Sequence, residues 1–428
     1  MIKKTILMLL VLVGGVMSAN ATPKRIYIEV QNTYWQTPAQ SVLKAFFKSG
    51  GSDLNTWPGD VCTRIEDTNW YYIDYDNDVT SATCIITTTE SGNTWQTNEV
   101  SINLSKRNII YLYDDGGGKL SIQNYDKFVI ADANRSELLE LSQNDYIFTG
   151  TLDLTNASGN TYFAVFPKRG TEVGDWNYCF RPNSENDYEF SSFQNYEWSF
   201  TSSNNGKTWL DKLKMKYDVE FNLVTGKFKF SPYFTRTLPA AAEGYGTFSS
   251  QYDVTVPEGL TAKYATDVTA GKITWVEFEN GIKAGQGALL EGTAGEEYKF
   301  TPAASAVAPS NNLMKAIDAT TAASALGQST ADGTTNFIFT KVGDKVGFFK
   351  VNGNGSWVNA GTAYLQVSND QIPAQAPDYI SIDGETTGVA NVNAAAVVKN
   401  QYYTLDGRHV TQPTKGLYIV NGKKVIVK

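Results

Sequence analysis

Short runs of alternating apolar and polar residues, separated by clusters of Gly, Asn, Asp and Ser, dominate this sequence of 428 residues. Such runs are typical of β-strands, because successive side chains of a strand point to opposite faces of the sheet. Residues 25–30 (RIYIEV) alternate strictly and predict a half-buried strand. Only 138–141 and 313–327 indicate short helices, which is too little for an α/β barrel. The sequence therefore predicts an all-β chain of several β-sandwich domains in tandem, with a short C-terminal β-hairpin module.

Composition changes along the chain and divides it into segments. Seven of the nine tryptophans lie at or before Trp209, whereas the sequence after about Leu238 is richer in Ala, Gly, Thr and Val. A stretch of Ala, Val and Asn then precedes a compact final motif. The predicted segments are a signal peptide at 1–21, β-sandwiches at 22–122 and 123–235, a β-rich spacer domain at 236–382, and a C-terminal module at 388–428.

The first residues have the three parts of a secretory signal peptide. Lys3 and Lys4 supply positive charge, residues 6–16 are apolar or glycine, and Ala19 and Ala21 provide small residues for cleavage. The apolar run is shorter than the roughly 20 residues of a spanning helix. We therefore expect a secreted or cell-surface protein without a membrane span.

Charge and a single histidine exclude several classes of function. The net charge is −8 and no long basic run is present, which argues against nucleic acid as a partner. His409 is the only histidine, so a histidine-rich metal site or a catalytic triad is not expected. We predict a protein that is not an enzyme and has neither metal nor cofactor.

Three cysteines are present, and an odd number cannot all pair within one chain. Cys62 and Cys84 lie in the first predicted domain and either form one disulfide or are two small buried side chains. Cys179 is left over in both cases.

The first domain carries aromatic residues on a face expected to meet solvent. In the strand 43–48 (LKAFFK), a period of two places Phe46 with Lys44 and Lys48. An exposed aromatic flanked by polar groups is typical of a surface that stacks on a sugar ring; the alternative is a Phe covered by the following loop. That loop, at 57–59 (WPG), holds a Trp in a defined place. The polar loop 90–98 adds a tryptophan beside an amide.

These residues resemble, in order and spacing, a starch-binding module of carbohydrate-binding family 26. The resemblance covers about 90 residues and rests on Tyr34-Trp35, Phe46-Phe47, Trp57-Pro58-Gly59, Trp70-Tyr71, Ile85-Ile86 and Trp95-Gln96-Thr97. In that family two aromatics and nearby polar side chains bind α-1,4-linked glucose, which implies these roles for Phe46, Trp57 and Gln96. The candidate carbohydrate-binding residues are Trp35, Phe46, Trp57, Trp95 and Gln96.

The second predicted domain is again rich in strand patterns, at 146–152, 160–166 and 219–230. Its general order is similar to the β-sandwich domains of outer-membrane starch-binding proteins of the maltodextrin-utilisation type. Four of its aromatic residues either form a second glycan platform or belong to the core: Trp176, Tyr178, Trp198 and Trp209.

The last two segments resemble modules of exported bacterial proteins. Residues 244–248 begin a segment similar to a β module found near the C-termini of such proteins, which we interpret as a spacer. The final 41 residues contain 406–408 (DGR), 416–418 (GLY), an Asn-Gly hairpin turn and a terminal lysine. They resemble the sorting domain of the type nine (Por) secretion system. The resemblance implies contact with secretion machinery and a location on or outside a Gram-negative cell.

Two classes of function follow from these patterns. The first is a non-catalytic carbohydrate-binding protein that binds starch-like α-1,4-glucan by aromatic stacking and hydrogen bonds. The alternative is a surface adhesin or structural protein with no glycan ligand. The exposure of Phe46, Trp57 and Trp95 distinguishes them, because a shared exposed patch favours a glycan and buried rings favour a structural role.

Overall fold

The computed structural model confirms the all-β fold. Its described residues form two compact units, one from residues up to 263 together with 277–310, the other from 264–276 together with 311–427. The signal peptide predicted at 1–21 lies outside the described residues, and the four-segment division of the sequence stays a prediction. The structure describes residues 24–30, 42–65, 70–75, 79–90, 93–103, 108–114, 120–125, 127–176, 179–201, 206–223, 225–327, 333–351, 357–372, 378–382, 402–403, 409–410, 414–420 and 423–427.

The first unit begins with a β-sandwich of two sheets. One sheet has the order β11-β10-β1-β6-β5; the other has the order β3-β2-β7-β8, with β4 also on β2 and β9 also on β7. Their strands are β1 (Lys24–Val30), β2 (Val42–Ser49), β3 (Ser52–Asp53), β4 (Asp60–Val61), β5 (Thr63–Arg64), β6 (Trp70–Tyr75), β7 (Ser81–Glu90), β8 (Asn93–Gln96), β9 (Val100–Asn103), β10 (Asn108–Asp114) and β11 (Leu120–Tyr125).

The sheet that contains β1 is buried on both faces. Ile26 and Ile28 pack into the core of the first sandwich, whereas Tyr27 and Trp70 pack into a second core together with residues after 127. The Trp70 and Phe180 rings stack with centroids 6.1 Å apart. The prediction of a half-buried strand at 25–30 was therefore wrong, because the second sandwich covers the face expected to meet water.

A cluster of charged and aromatic groups lies where the two sandwiches meet. Arg25 donates to both carboxylate oxygens of Asp74, at 2.7 and 2.9 Å, and to Asp145 at 2.8 Å. Its guanidinium also lies 4.1 Å from the centroid of the Tyr72 ring. The hydrogen bonds to Asp74 raise the pKa of Arg25, and Tyr27 donates its hydroxyl to Asp145. These contacts join β1 of the first sandwich to Asp145, which belongs to the second sandwich.

The second sandwich also has two sheets, of order β13-β12-β16-β21-β19 and β14-β15-β22-β23-β20-β18, with β17 on β16. It contains the strands predicted at 146–152, 160–166 and 219–230. The strands are β12 (Lys127–Asp132), β13 (Glu137–Glu140), β14 (Ser142–Asn144), β15 (Ile147–Asp153), β16 (Thr161–Arg169), β17 (Glu172–Val173), β18 (Arg181–Pro182), β19 (Tyr188–Phe190), β20 (Tyr196–Thr201), β21 (Trp209–Asp211), β22 (Lys216–Asn222) and β23 (Lys227–Thr237).

Two of the four candidate platform residues of the second sandwich lie in its core. Trp198 and Trp209 are buried, and the Trp209 ring stacks on Phe228 with centroids 4.8 Å apart. Trp176 is partly buried, with its edge on Phe166. Tyr178 lies outside the described residues. The burial of Trp198 and Trp209 favours the core over a second glycan platform for these two residues.

The first unit continues past 237 without a break in its sheets. Strand β23 pairs with β28 through Phe234 and Phe300, and β27 pairs with β24 and with residues 261–263 of β25. The stacked rings of Phe234, Phe248 and Phe300 fill this core. A 3-10 helix spans Ala240–Ala242. The strands are β24 (Tyr245–Phe248), β27 (Ala288–Glu291), β28 (Glu297–Phe300) and the first three residues of β25 (Thr261–Thr269). The rest of β25 and residues up to 276 of β26 (Lys272–Glu277) belong to the second unit.

The second unit contains a sheet of order β29-β34-β31-β32-β35, a ribbon β30-β33, and a sheet of order β37-β36-β38-β39. The pairing of β38 with β39 confirms the predicted terminal hairpin. A 3-10 helix spans Asn369–Gln371. The elements are β29 (Met314–Ile317), β30 (Thr321–Ala322), α1 (Ala323–Leu326), β31 (Thr334–Val342), β32 (Lys345–Lys350), β33 (Trp357–Val358), β34 (Thr362–Ser368), β35 (Tyr379–Ser381), β36 (Tyr402–Tyr403), β37 (His409–Val410), β38 (Gly416–Val420) and β39 (Lys423–Val427).

The two segments expected to form short helices are strand or irregular structure apart from one helical turn. Residues 138–141 belong largely to β13, and of 313–327 only the four residues of α1 are helical. Both segments are too short for a stable isolated helix. Pairing with β12 and β34 satisfies their backbone groups instead.

The three cysteines are free and buried, so Cys62 and Cys84 follow the second of the two alternatives. Burial raises the pKa of both thiols and raises the pKa of Cys179 to about 11. A thiol whose pKa lies above the solution pH stays protonated and is a poor nucleophile. We expect iodoacetamide at pH 8 to leave all three unmodified in the folded protein and to alkylate them in urea. Alkylation of the folded protein at the unfolded rate would contradict this.

Within the described residues, no helix has the length and apolar character needed to cross a membrane.

Candidate functional site

A loop after β2 folds back along the edge of that strand. Its two ends pair with β2 as β3 and β4. Between them, the Asn55 side chain donates to the Ala45 carbonyl and accepts from the Phe47 N–H, both at 2.9 Å. One amide side chain thus makes the two backbone contacts that a neighbouring strand would make. The loop is therefore fixed to the sheet along its whole length.

Gly59 allows the loop to lie directly on β2. It has φ +112°, and a Cβ there would lie 2.4 Å from the Ala45 carbonyl oxygen. On the other side, Thr87 of β7 donates its hydroxyl to the Pro58 carbonyl at 2.7 Å. Because these contacts hold both residues that follow Trp57, the position of the tryptophan is set by β2 and β7 together.

Trp57 lies over Phe46, which is only 2% exposed, whereas Trp57 itself is 45% exposed. Their ring centroids are 5.1 Å apart with planes at 85°, so an edge of one ring meets the face of the other. Of the two alternatives for Phe46, the structure shows the covered one, because the loop that follows β2 returns across it. The strand alternation itself is confirmed, since Leu43, Ala45 and Phe47 pack into the core.

Gln96 lies on the same face of the sheet as this loop. It is exposed and pairs with Thr87, the residue that contacts Pro58. Residues directly opposite in an antiparallel pair share a face. The backbone of Trp95 pairs with Thr88, but its side chain lies outside the described residues, as does all of Trp35. The structure therefore brings Phe46, Trp57 and Gln96 together among the five predicted site residues.

Two exposed valines extend this face and were missed from the sequence. Val42 and Val61 are exposed, and Val61 pairs with Lys44, two residues after Val42 in β2. Lys48 on the same strand face lies 3.9 Å from Glu99 and 5.5 Å from the Phe46 centroid. We call Val42, Lys44, Trp57, Val61 and Gln96 the Trp57 surface. A short strand after a Trp-Pro-Gly loop is the sequence signal that points to Val61.

The Trp57 surface suits a ligand that is flat and apolar on one side and polar at its rim. The indole offers an apolar ring face, and the Gln96 amide both donates and accepts hydrogen bonds. Lys44 is the one ionisable member of this surface. Such a combination matches an uncharged sugar, whose ring presents C–H groups on one face and hydroxyls at the edge.

Substitution of Gly59 by alanine should release the loop. The added methyl group meets backbone that cannot move aside, and the positive φ adds strain. We expect Trp57 to be oxidised by N-bromosuccinimide about twofold faster in Gly59→Ala, since its inner edge becomes accessible. Gly50→Ala is the matched control, because Gly50 has φ +59° but a Cβ there meets nothing within 4 Å. Equal rates in the two variants would show that the loop is not held through Gly59.

Comparisons with protein-family models, with curated proteins and with solved structures found no match for this chain.

Proposed function

We propose that this chain is a non-catalytic protein that binds a starch-like α-1,4-glucan through the Trp57 surface. The observation that carries the proposal is a half-exposed tryptophan fixed by backbone contacts over a buried phenylalanine, beside an exposed glutamine. Apolar ring surface on a loop is usually covered. Here the loop itself is fixed and the ring stays open to solvent.

A fixed ring favours binding because little freedom is lost when a ligand arrives. Asn55, Gly59 and Thr87 hold the loop before any ligand is present. Ordering of loops and side chains is a main cost of association, so a prepared surface binds more tightly than a mobile one of equal area. A glucose ring stacked on Trp57 would place its edge hydroxyls toward the exposed amide of Gln96.

The choice of an α-1,4-glucan comes from the resemblance of residues 22–122 to family 26 starch-binding modules. Burial of Phe46 leaves Trp57 as the open ring among the described candidates. One stacking contact and a few hydrogen bonds give a binding free energy of about −4 kcal/mol, or a Kd of about 1 mM. Such weak contacts become useful on a polymer, where many binding positions lie close together.

The proposal extends to the location of the protein. The predicted signal peptide and the resemblance of 388–428 to a type nine sorting domain support secretion or display on a Gram-negative cell surface. The paired strands β38 and β39 are consistent with that module. A protein there would meet polysaccharides before they enter the cell.

Calorimetric titration of residues 22–428 with maltoheptaose tests the proposal. The whole exported chain is needed because the sheet of β1 contributes to two cores. We expect saturable binding with a Kd of about 1 mM, and weaker binding of the β-linked cellohexaose. No saturable heat up to about 10 mM maltoheptaose would contradict α-glucan binding and favour the adhesin or structural alternative.

A further inference from the structure

Trp357 is the most exposed tryptophan side chain among the described residues. It is 68% exposed, compared with 45% for Trp57. It lies in β33, within the second compact unit. A tryptophan side chain has a large, flat apolar ring, so an exposed one offers a stacking surface to a ligand.

The backbone from Trp357 to Gly361 is hydrogen-bonded to the segment 317–322, and the neighbour of Trp357 across the ribbon is small. Trp357 pairs with Ala322, whose methyl group is too small to cover an indole. Just beyond, the Ala360 N–H donates to the Thr320 hydroxyl at 3.2 Å, and the Gly361 N–H donates to the Ile317 carbonyl at 2.8 Å. The Trp357 backbone therefore belongs to a paired ribbon, and its ring is largely exposed to solvent.

The residues that flank this ribbon are polar and mostly small. Asp318, Thr320 and Asn359 are exposed and offer carboxylate, hydroxyl and amide groups. A protein partner normally needs about 800 Å² of surface per side with an apolar centre. One ring with a rim of small polar side chains fits a sugar better, since a sugar needs one apolar face and several hydrogen bonds at its edge.

We infer that Trp357 is a second carbohydrate-binding position, which takes a neutral polysaccharide independently of the Trp57 surface. The inference rests on the proposed function only for the class of ligand. Two weak positions on one chain increase retention on a polymer, because binding at one raises the effective concentration at the other.

Electrophoresis of residues 22–428 through gels that contain amylopectin, mixed-linkage β-glucan or galactomannan tests this inference. We expect Trp357→Ala to lower the affinity about 5-fold in at least one gel that retards the parent, and Trp357→Phe to retain part of it. The matched control is Val342→Ala, which removes another exposed apolar side chain of the same unit. Equal thermal unfolding temperatures show that the variants are folded.

The outcomes separate the two binding positions. If Trp357→Ala migrates like the parent in all three gels, the inference is wrong, and Trp357 becomes a candidate contact for a protein partner. If Trp57→Ala abolishes retardation and Trp357→Ala does not, the proposed function stands without the second position. If only Trp357→Ala reduces retardation, the second position stands and the Trp57 surface is not the site.

Discussion

Replacing Trp57 by alanine should lower the affinity of residues 22–428 for amylopectin about 30-fold, since stacking on one ring contributes about 2 kcal/mol. The thermal unfolding temperature should change little, because the ring is nearly half exposed and, among the described residues, contacts one other ring, that of Phe46. Trp57→Phe should keep part of the affinity through a smaller ring. Retardation in amylopectin gels measures the affinities, and a thermal melt followed by circular dichroism measures the unfolding temperature.

Val307→Ala is the control for Trp57→Ala. Val307 is 70% exposed in the same compact unit and lies far along the chain from the Trp57 surface. We expect it to bind like the parent. A Trp57→Ala protein that is folded and retarded as strongly as Val307→Ala would remove the Trp57 surface as the binding site.

Replacing Trp70 by alanine should lower the free energy of unfolding by about 3–5 kcal/mol, as for other large buried aromatics. Trp70 is 2% exposed and stacks on Phe180, so its loss leaves a cavity between the first and second sandwiches. Urea unfolding followed by near-ultraviolet circular dichroism measures the change.

The control for Trp70→Ala removes the same side chain from an exposed place. Trp357→Ala should change the free energy of unfolding by less than about 0.5 kcal/mol, since little of Trp357 is buried. Similar losses of unfolding free energy in both variants would contradict the finding that the sheet of β1 contributes to two cores. The segment 22–122 alone would expose Tyr27, Trp70 and Ile109 to water, so binding tests need the longer chain.

Local alternation in the sequence was enough to predict the fold class and the two faces of β2. It placed Leu43, Ala45 and Phe47 in the core and Phe46 opposite them, as the structure confirms. It could not show that Phe46 is covered, because that depends on a loop returning over the strand through Asn55 and Gly59. Alternation reports the face of a strand and not what lies above that face.

The same limit explains the two-sided burial of β1. Tyr27 and Glu29 read as solvent-facing in a strict alternation, yet both are buried. The second sandwich supplies the covering residues, and they are distant in sequence. For Trp198 and Trp209, aromatic content alone did not distinguish an exposed glycan platform from a buried core.

Oxidation of individual tryptophans, measured by peptide mass spectrometry, shows whether an α-glucan covers Trp57. Residues 22–428 are treated with N-bromosuccinimide with and without about 10 mM maltoheptaose, roughly tenfold above the expected Kd. Buried Trp209 should stay unreacted in both samples and serves as the internal reference. Maltoheptaose should slow the oxidation of Trp57 several-fold. Oxidation of Trp57 at the same rate in both samples would contradict binding of α-glucan at this surface.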